Sequence, residues 1–150
     1  MKVRTVYHNN YLTRQELRHA SIFMLAQLVK EPEHSKTKLS IISLAPKVRG
    51  LLGLTVPHEK NRYRFKIYLN KNVSKQDQLL ALAHELVHVK QFIRRELGLT
   101  MGGKTSWKKK MIEESKYDYL DLPWELEARK KEYGLYKLWE LYLQENKIKY

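Results

Sequence analysis

No cysteine occurs among the 150 residues, which removes disulfides, thiolate metal sites and thiol nucleophiles together. Any metal must then be held by histidine and carboxylate. Long apolar runs are missing as well. No segment approaches the ~18 apolar residues that a membrane span needs, and the opening "MKVRTVYHNNYL" lacks the apolar stretch of a signal peptide. These absences predict a cytoplasmic protein with no membrane partner. There is also no internal repeat, low-complexity segment or linker. A chain of this length, 43% apolar and 30% charged, suits one globular domain over residues 1–150.

Acidic residues are scarce relative to basic ones: 16 Asp and Glu stand against 29 Lys and Arg, a formal charge of +13. The imbalance is uneven. From Lys36 to Lys75 there are ten basic residues and one acid, Glu59. Such density raises the encounter rate with nucleic acid or acidic proteins whatever the fold, and it also serves as a solvated, solubilising face.

What is present reads as a mixed α+β chain. "VRTVY" has the composition of a short strand, and Thr13 with Glu16 three residues on has capping-box spacing for a helix reaching about Lys30. Pro32 stops it, and the β-branched "KTKLSIISL" (36 to 44) reads as a strand. "GLLGLTV" and "YRFKIYLN" flank a polar turn, so residues 50 to 70 form a hairpin whose second arm turns Phe65, Ile67 and Leu69 inward and basic side chains outward. Ser74 and Asp77 open a long helix ending at Gly98. Residues 99 to 123 lack a sustained period and read as a loop with a short hairpin; Pro123 then begins a second long helix.

Within the first long helix lies "LLALAHELVHVKQF", residues 79 to 92. Leu79, Leu82, Leu86, Val89 and Ile93 make an apolar stripe, which the sheet is expected to cover. His84 and His88 lie on the other side, one turn apart, where two neutral imidazoles can bind a single zinc. Glu85 sits beside them. Held off the metal, its carboxylate can take a proton from a water that the metal acidifies and return it to a leaving amine.

A third ligand is required, and no histidine follows His88. His8, His19, His34 and His58 all precede the motif and read as surface or hydrogen-bonded histidines. Glu113, Glu114, Asp118 and Asp121 lie in the loop, where solvated carboxylates are ordinary. Glu125 and Glu127 begin a helix behind Pro123 and Trp124, a more rigid position for a ligand.

"HELVH" (84 to 88) followed by "LPWELEAR" (122 to 129) resembles the zincin-type metallopeptidases of the gluzincin group, particularly phage-encoded proteins described as SprT-like or ImmA/IrrE-related. The likeness spans about half the chain. It implies a zinc metallopeptidase acting on a protein substrate, active in a host cytoplasm if phage-encoded. It implies a compact domain with a small, mostly antiparallel sheet on the motif helix, and a peptide lying extended along the sheet edge. It maps the third ligand onto Glu125, with Ala128 three residues on. Glu127, two residues away, points elsewhere along the helix and is assigned a supporting or structural role, as the alternative ligand or a partner of Lys130 or Lys131. The missing third histidine separates the chain from true SprT and Spartan proteins and from metzincins. A tyrosine commonly assists at the oxyanion in such folds, and Tyr117, Tyr119, Tyr133 and Tyr136 are the candidates. Two other classes stand beside this one: a basic nucleic-acid-binding module, and an inactive zinc-binding interaction domain.

Overall fold

The computed structural model describes residues 1–6, 11–45, 50–98 and 100–150. His8, Lys47 and Arg49 lie outside the described residues. In chain order the elements are β1 (Lys2–Val6), α1 (Arg14–Leu28), a single turn α2 (Glu33–Lys36), β2 (Lys38–Leu44), β3 (Gly53–Pro57), β4 (Arg64–Asn70), α3 (Lys75–Ile93), β5 (Lys104–Trp107), β6 (Lys110–Glu113) and α4 (Pro123–Glu145). The α+β class read from the sequence is the class observed. No helix among the described residues is long and apolar enough to cross a membrane.

Local chemistry sets the helix starts. Thr13 accepts from the Glu16 backbone N–H at 3.0 Å and Ser74 accepts from that of Asp77 at 3.1 Å. Each cap satisfies an orphan donor and contributes about 1 kcal/mol. The Glu16 carboxylate turns inward instead of back to the cap: it is buried and stands 2.6 Å from Lys75 Nζ of α3.

The end of α3 departs from expectation. The helix stops at Ile93, not Gly98, because Arg95 adopts a left-handed φ of 57°. Glu96 N–H then reaches Gln91 O at 2.8 Å and Arg95 N–H reaches Phe92 O at 3.0 Å, the paired closing bonds of a Schellman turn. Gly98 has another use. A Cβ there would lie 3.0 Å from Ser106 Cβ, so its bare backbone lets the chain run against β5.

The four-stranded sheet has the order β1-β2-β4-β3. The expectation of a mostly antiparallel sheet is corrected: β1–β2 and β2–β4 are parallel, and only β3–β4 is antiparallel. The reason is connectivity. Helix α1 carries the chain back between β1 and β2, the crossover that parallel neighbours need, and β2 inserts beside β4 from a distance. The hairpin was visible because its two arms are contiguous in sequence.

One face of this sheet supports the helices. Leu39, Ile41, Phe65 and Ile67 share a buried core with Leu17 and Met24 of α1, the leucine stripe of α3 and Trp139 of α4. Each fully buried aliphatic or aromatic side chain there contributes roughly 1.5–3 kcal/mol. A second, smaller cluster joins Leu97, Leu122 and Trp124, with Trp107 of β5 packed against it. The Trp107 and Trp124 rings lie 6.1 Å apart. This cluster fixes the first turn of α4 against the segment following α3, and so sets where Glu125 points.

Candidate metal centre

Helices α3 and α4 face each other across a group of three side chains, half-buried His84 and buried His88 and Glu125, whose ligand atoms lie within 4.8 Å of one another. His84 Nε2 is 3.0 Å from Glu125 Oε2, His88 Nε2 is 3.1 Å from Glu125 Oε1, and the two Nε2 atoms are 3.2 Å apart. Tetrahedral ligands at 2.0–2.1 Å from a common ion would stand roughly 3.3 Å from one another. The spacing fits.

The outer ring nitrogens are already committed. His84 Nδ1 lies 2.7 Å from Glu132 Oε2, and His88 Nδ1 lies 2.8 Å from Gln91 Oε1. Both partners are acceptors, so each imidazole donates outward and, when neutral, presents an Nε2 lone pair to the centre. Two lone pairs and a carboxylate converging at these distances repel unless a cation or protons lie among them. His88, Glu125 and Glu85 are all buried. This group can hold a metal ion.

The electrostatics express the same demand. Burial opposes the His84 imidazolium, but the Glu125 and Glu132 carboxylates outweigh it and push the pKa up to about 10. His88 shifts upward too, burial again being overcome by Glu125 and by Glu85. Burial would raise the Glu125 carboxyl, yet the two imidazoles hold it well below the usual carboxylate range. Glu85 goes the other way: burial pushes it up, against the pull of His88 and Thr55.

Glu85 is held from behind by β3. Thr55 Oγ1 donates to Glu85 Oε2 at 2.6 Å and lies 3.1 Å from the Glu85 carbonyl oxygen. Gly53 makes the approach feasible, since a Cβ at that position would stand 2.9 Å from Glu85 Cγ and 3.0 Å from Oε1. A cleft of about 330 Å³ opens here, lined by Gly53, Leu80, His84, Glu85, Tyr119 and Glu132 among others.

Glu127 lies outside the metal-capable group. Its Oε1 accepts from Lys90 Nζ at 2.9 Å and from Gln91 Nε2 at 3.0 Å, while Oε2 is 3.8 Å from Lys131 Nζ. Gln91 also donates to the Trp124 carbonyl at 3.0 Å, so Glu127 supports His88 through Gln91. The sequence suggested Lys131 as a partner and missed Lys90, which is buried and pairs with both Glu127 and Glu96. His19 contacts the Tyr150 hydroxyl, His34 the Ile22 carbonyl and His58 the Lys60 amide, all away from the cluster. The loop acids Glu113, Glu114, Asp118 and Asp121 are not in the group either.

Of the four tyrosines, Tyr119 reaches the site: its hydroxyl donates to Glu125 Oε1 at 3.0 Å. The residue as a whole is exposed, but the partial shielding of its hydroxyl and the Glu125 charge push the phenol upward in pKa, so it stays protonated. Tyr136 donates to Glu140; Tyr117 and Tyr133 are exposed, as is Tyr119 apart from its hydroxyl contact. Thr55, Gln91 and Glu132 were missed from the sequence. Gln91 stands one turn after His88, and Glu132 two turns after Glu125 on the same helical face, so helical spacing offered a signal for both. Thr55 offered none, because strand and helix meet only in the fold.

The chain matches no protein-family model, no curated protein and no solved structure. The functional reading therefore rests on the geometry and the motif residues.

Proposed function

We propose that this protein is a zinc-dependent metallopeptidase, with His84, His88 and Glu125 as ligands and Glu85 as general base. The observation that carries the proposal is the convergence of two imidazole nitrogens and one carboxylate at 3.0–3.2 Å beside a separate buried glutamate. Two histidines and a carboxylate, with no thiolate, are a donor set suited to catalytic zinc. Zinc held there would supply a Lewis acid able to acidify water and polarise a carbonyl.

The protein's own residues supply the remaining chemistry. Glu85, made more basic by burial and aimed by Thr55, takes a proton from the attacking water. It then delivers that proton to the departing amine. Tyr119, protonated and at the cleft, would turn its hydroxyl away from Glu125 to donate to the oxygen on which charge develops. The peptide lies along β3, the edge of the four-stranded sheet and the strand nearest Glu85. Main-chain pairing with an edge strand binds extended substrates with little dependence on side chains.

The test is metal content by elemental analysis alongside hydrolysis of an unfolded protein substrate such as casein. Wild type should carry one zinc; His84→Ala and Glu125→Ala should lose it; Glu85→Gln should keep it and lose hydrolysis. Full zinc in Glu125→Ala, with loss in Glu127→Ala, would overturn the ligand assignment. A Glu85→Gln protein that still cuts casein would remove Glu85 from its role.

A further inference from the structure

The outer face of the four-stranded sheet takes no part in the proposed hydrolysis, and strand register sorts its residues into rows. Lys2, Lys38 and Arg64 align across β1, β2 and β4, with His58 beside Arg64 through a 2.9 Å backbone hydrogen bond. The next row is Arg4, Ser40, Lys66 and Val56. The third is Val6, Ile42, Tyr68 and Leu54. Two rows are thus rich in cations and the adjoining one is apolar and aromatic.

Lys2, Arg4, Lys38, Arg64 and Lys66 are exposed, and among the described residues none of them forms an ion pair. A cleft of about 490 Å³ adjoins them, lined by Ser40, His58, Lys60, Arg64, Lys66 and the lone acid Glu59 among others. The fold redraws the basic stretch seen in the sequence. Lys75 is taken by buried Glu16, while Lys36 and Arg62 lie over the Tyr63 ring at 5.6 Å and 4.9 Å. Lys2 and Arg4, far upstream, join the face in their place.

We propose that this face binds single-stranded nucleic acid, with phosphates on the two cationic rows and bases against Tyr68 and the apolar row. Neighbouring rows stand about 7 Å apart along a strand and neighbouring strands about 4.8 Å apart, so the cations form a dense positive plane. Unpaired side-chain ammonium and guanidinium groups keep their full charge for phosphate. The adjoining apolar row decides between strand states. A duplex keeps its bases stacked inside, whereas a single strand exposes them to an aromatic on an open sheet. This inference is independent of whether the metal centre cuts peptides.

Fluorescence anisotropy of a labelled oligothymidylate of about 20 nucleotides, from roughly 50 to 200 mM salt, tests it on the intact chain. An oligouridylate run beside it separates DNA from RNA, and a matched duplex and phosphatidylserine vesicles are the competing ligands. The combined K38E, R64E and K66E protein, its fold checked by circular dichroism, should bind at least ~100-fold more weakly and lower the log–log salt slope by about 2. Tyr68→Ala should weaken binding by roughly 10-fold while leaving that slope unchanged. Should the charge-reversed chain fail to fold, Arg64→Gln with Lys66→Gln carries the same test, with a slope loss of about 1.4. Affinity unmoved by removing these charges, no effect of Tyr68→Ala, duplex bound as tightly as single strand, or vesicles bound in preference to oligonucleotide would each overturn the proposal.

Discussion

The space between α3 and α4 and the outer face of the sheet are both crowded with charge, and they handle it in opposite ways. Between the helices every ionisable group named has a partner near 3 Å: His84 with Glu125 and Glu132, His88 with Glu125, Lys90 with Glu96 and Glu127. On the sheet, Lys2, Arg4, Lys38, Arg64 and Lys66 stand in solvent with no ion-pair partner among the described residues. Water makes the difference. A charge removed from it must find compensation inside the protein, while a solvated charge remains free for an outside partner. A dense charge pattern in a sequence thus carries two different meanings, and burial separates them.

The largest effect should come from breaking the buried side at its centre. Glu125→Ala leaves two imidazoles without their shared carboxylate; metal content by elemental analysis should fall to background, and hydrolysis with it. Glu127→Ala leaves the buried ammonium of Lys90 with Glu96 as its remaining carboxylate, and chemical denaturation should show a loss of about 2 kcal/mol. Lys90→Met with Glu96→Gln and Glu127→Leu should recover most of that loss, because no charge is then left without a partner. Zinc competition with a chelator should find Glu132→Ala weakened by roughly 10–100-fold, the range for removing a group that orients a ligating histidine. The smallest effect belongs to the other region. Single alanine substitutions at Lys38, Arg64 or Lys66 should change stability by less than about 0.5 kcal/mol, and a larger loss would show that the outer face is structurally engaged.

Titration sharpens the same contrast. In metal-free protein the folded pKa of His84, about 10, lies above its ordinary 6.5. Its contribution to stability is therefore complete below 6.5 and is lost as pH rises through 10. Thermal melting of the metal-free protein should accordingly fall across that interval. Metal binding must displace the proton His84 retains, so zinc affinity should rise with pH through the same range. A flat profile would mean that the imidazole is neutral before metal arrives.

Much of this was legible in the sequence because it is local. The caps Thr13 and Ser74, the hairpin of β3 and β4, Pro123 at the start of α4 and the His84–His88 pair each depend on residues within a few positions of one another. Glu125 was legible by elimination, helix placement and resemblance together. Strand direction was not, since the β2–β4 pairing joins strands separated by β3 and its loops. Nor was the end of α3, where an arginine took the left-handed position that a glycine usually fills. Lys90 on a mostly apolar helix reads as an exposed cation until Glu127 arrives from α4 to neutralise it. Such pairings exist only once two elements meet.

Position 53 has a consequence for how the centre tolerates change. Because nothing larger than hydrogen fits between β3 and Glu85, that strand acts as a gauge block against which the carboxylate is set. Thr55, two residues along, clamps it there. On the proposed mechanism, a polypeptide laid along the edge would press on the same part that sets the depth of the Glu85 carboxylate. Lengthening residue 53 by a single carbon would misalign docking and proton transfer together, so the two properties should degrade in step and not trade against each other.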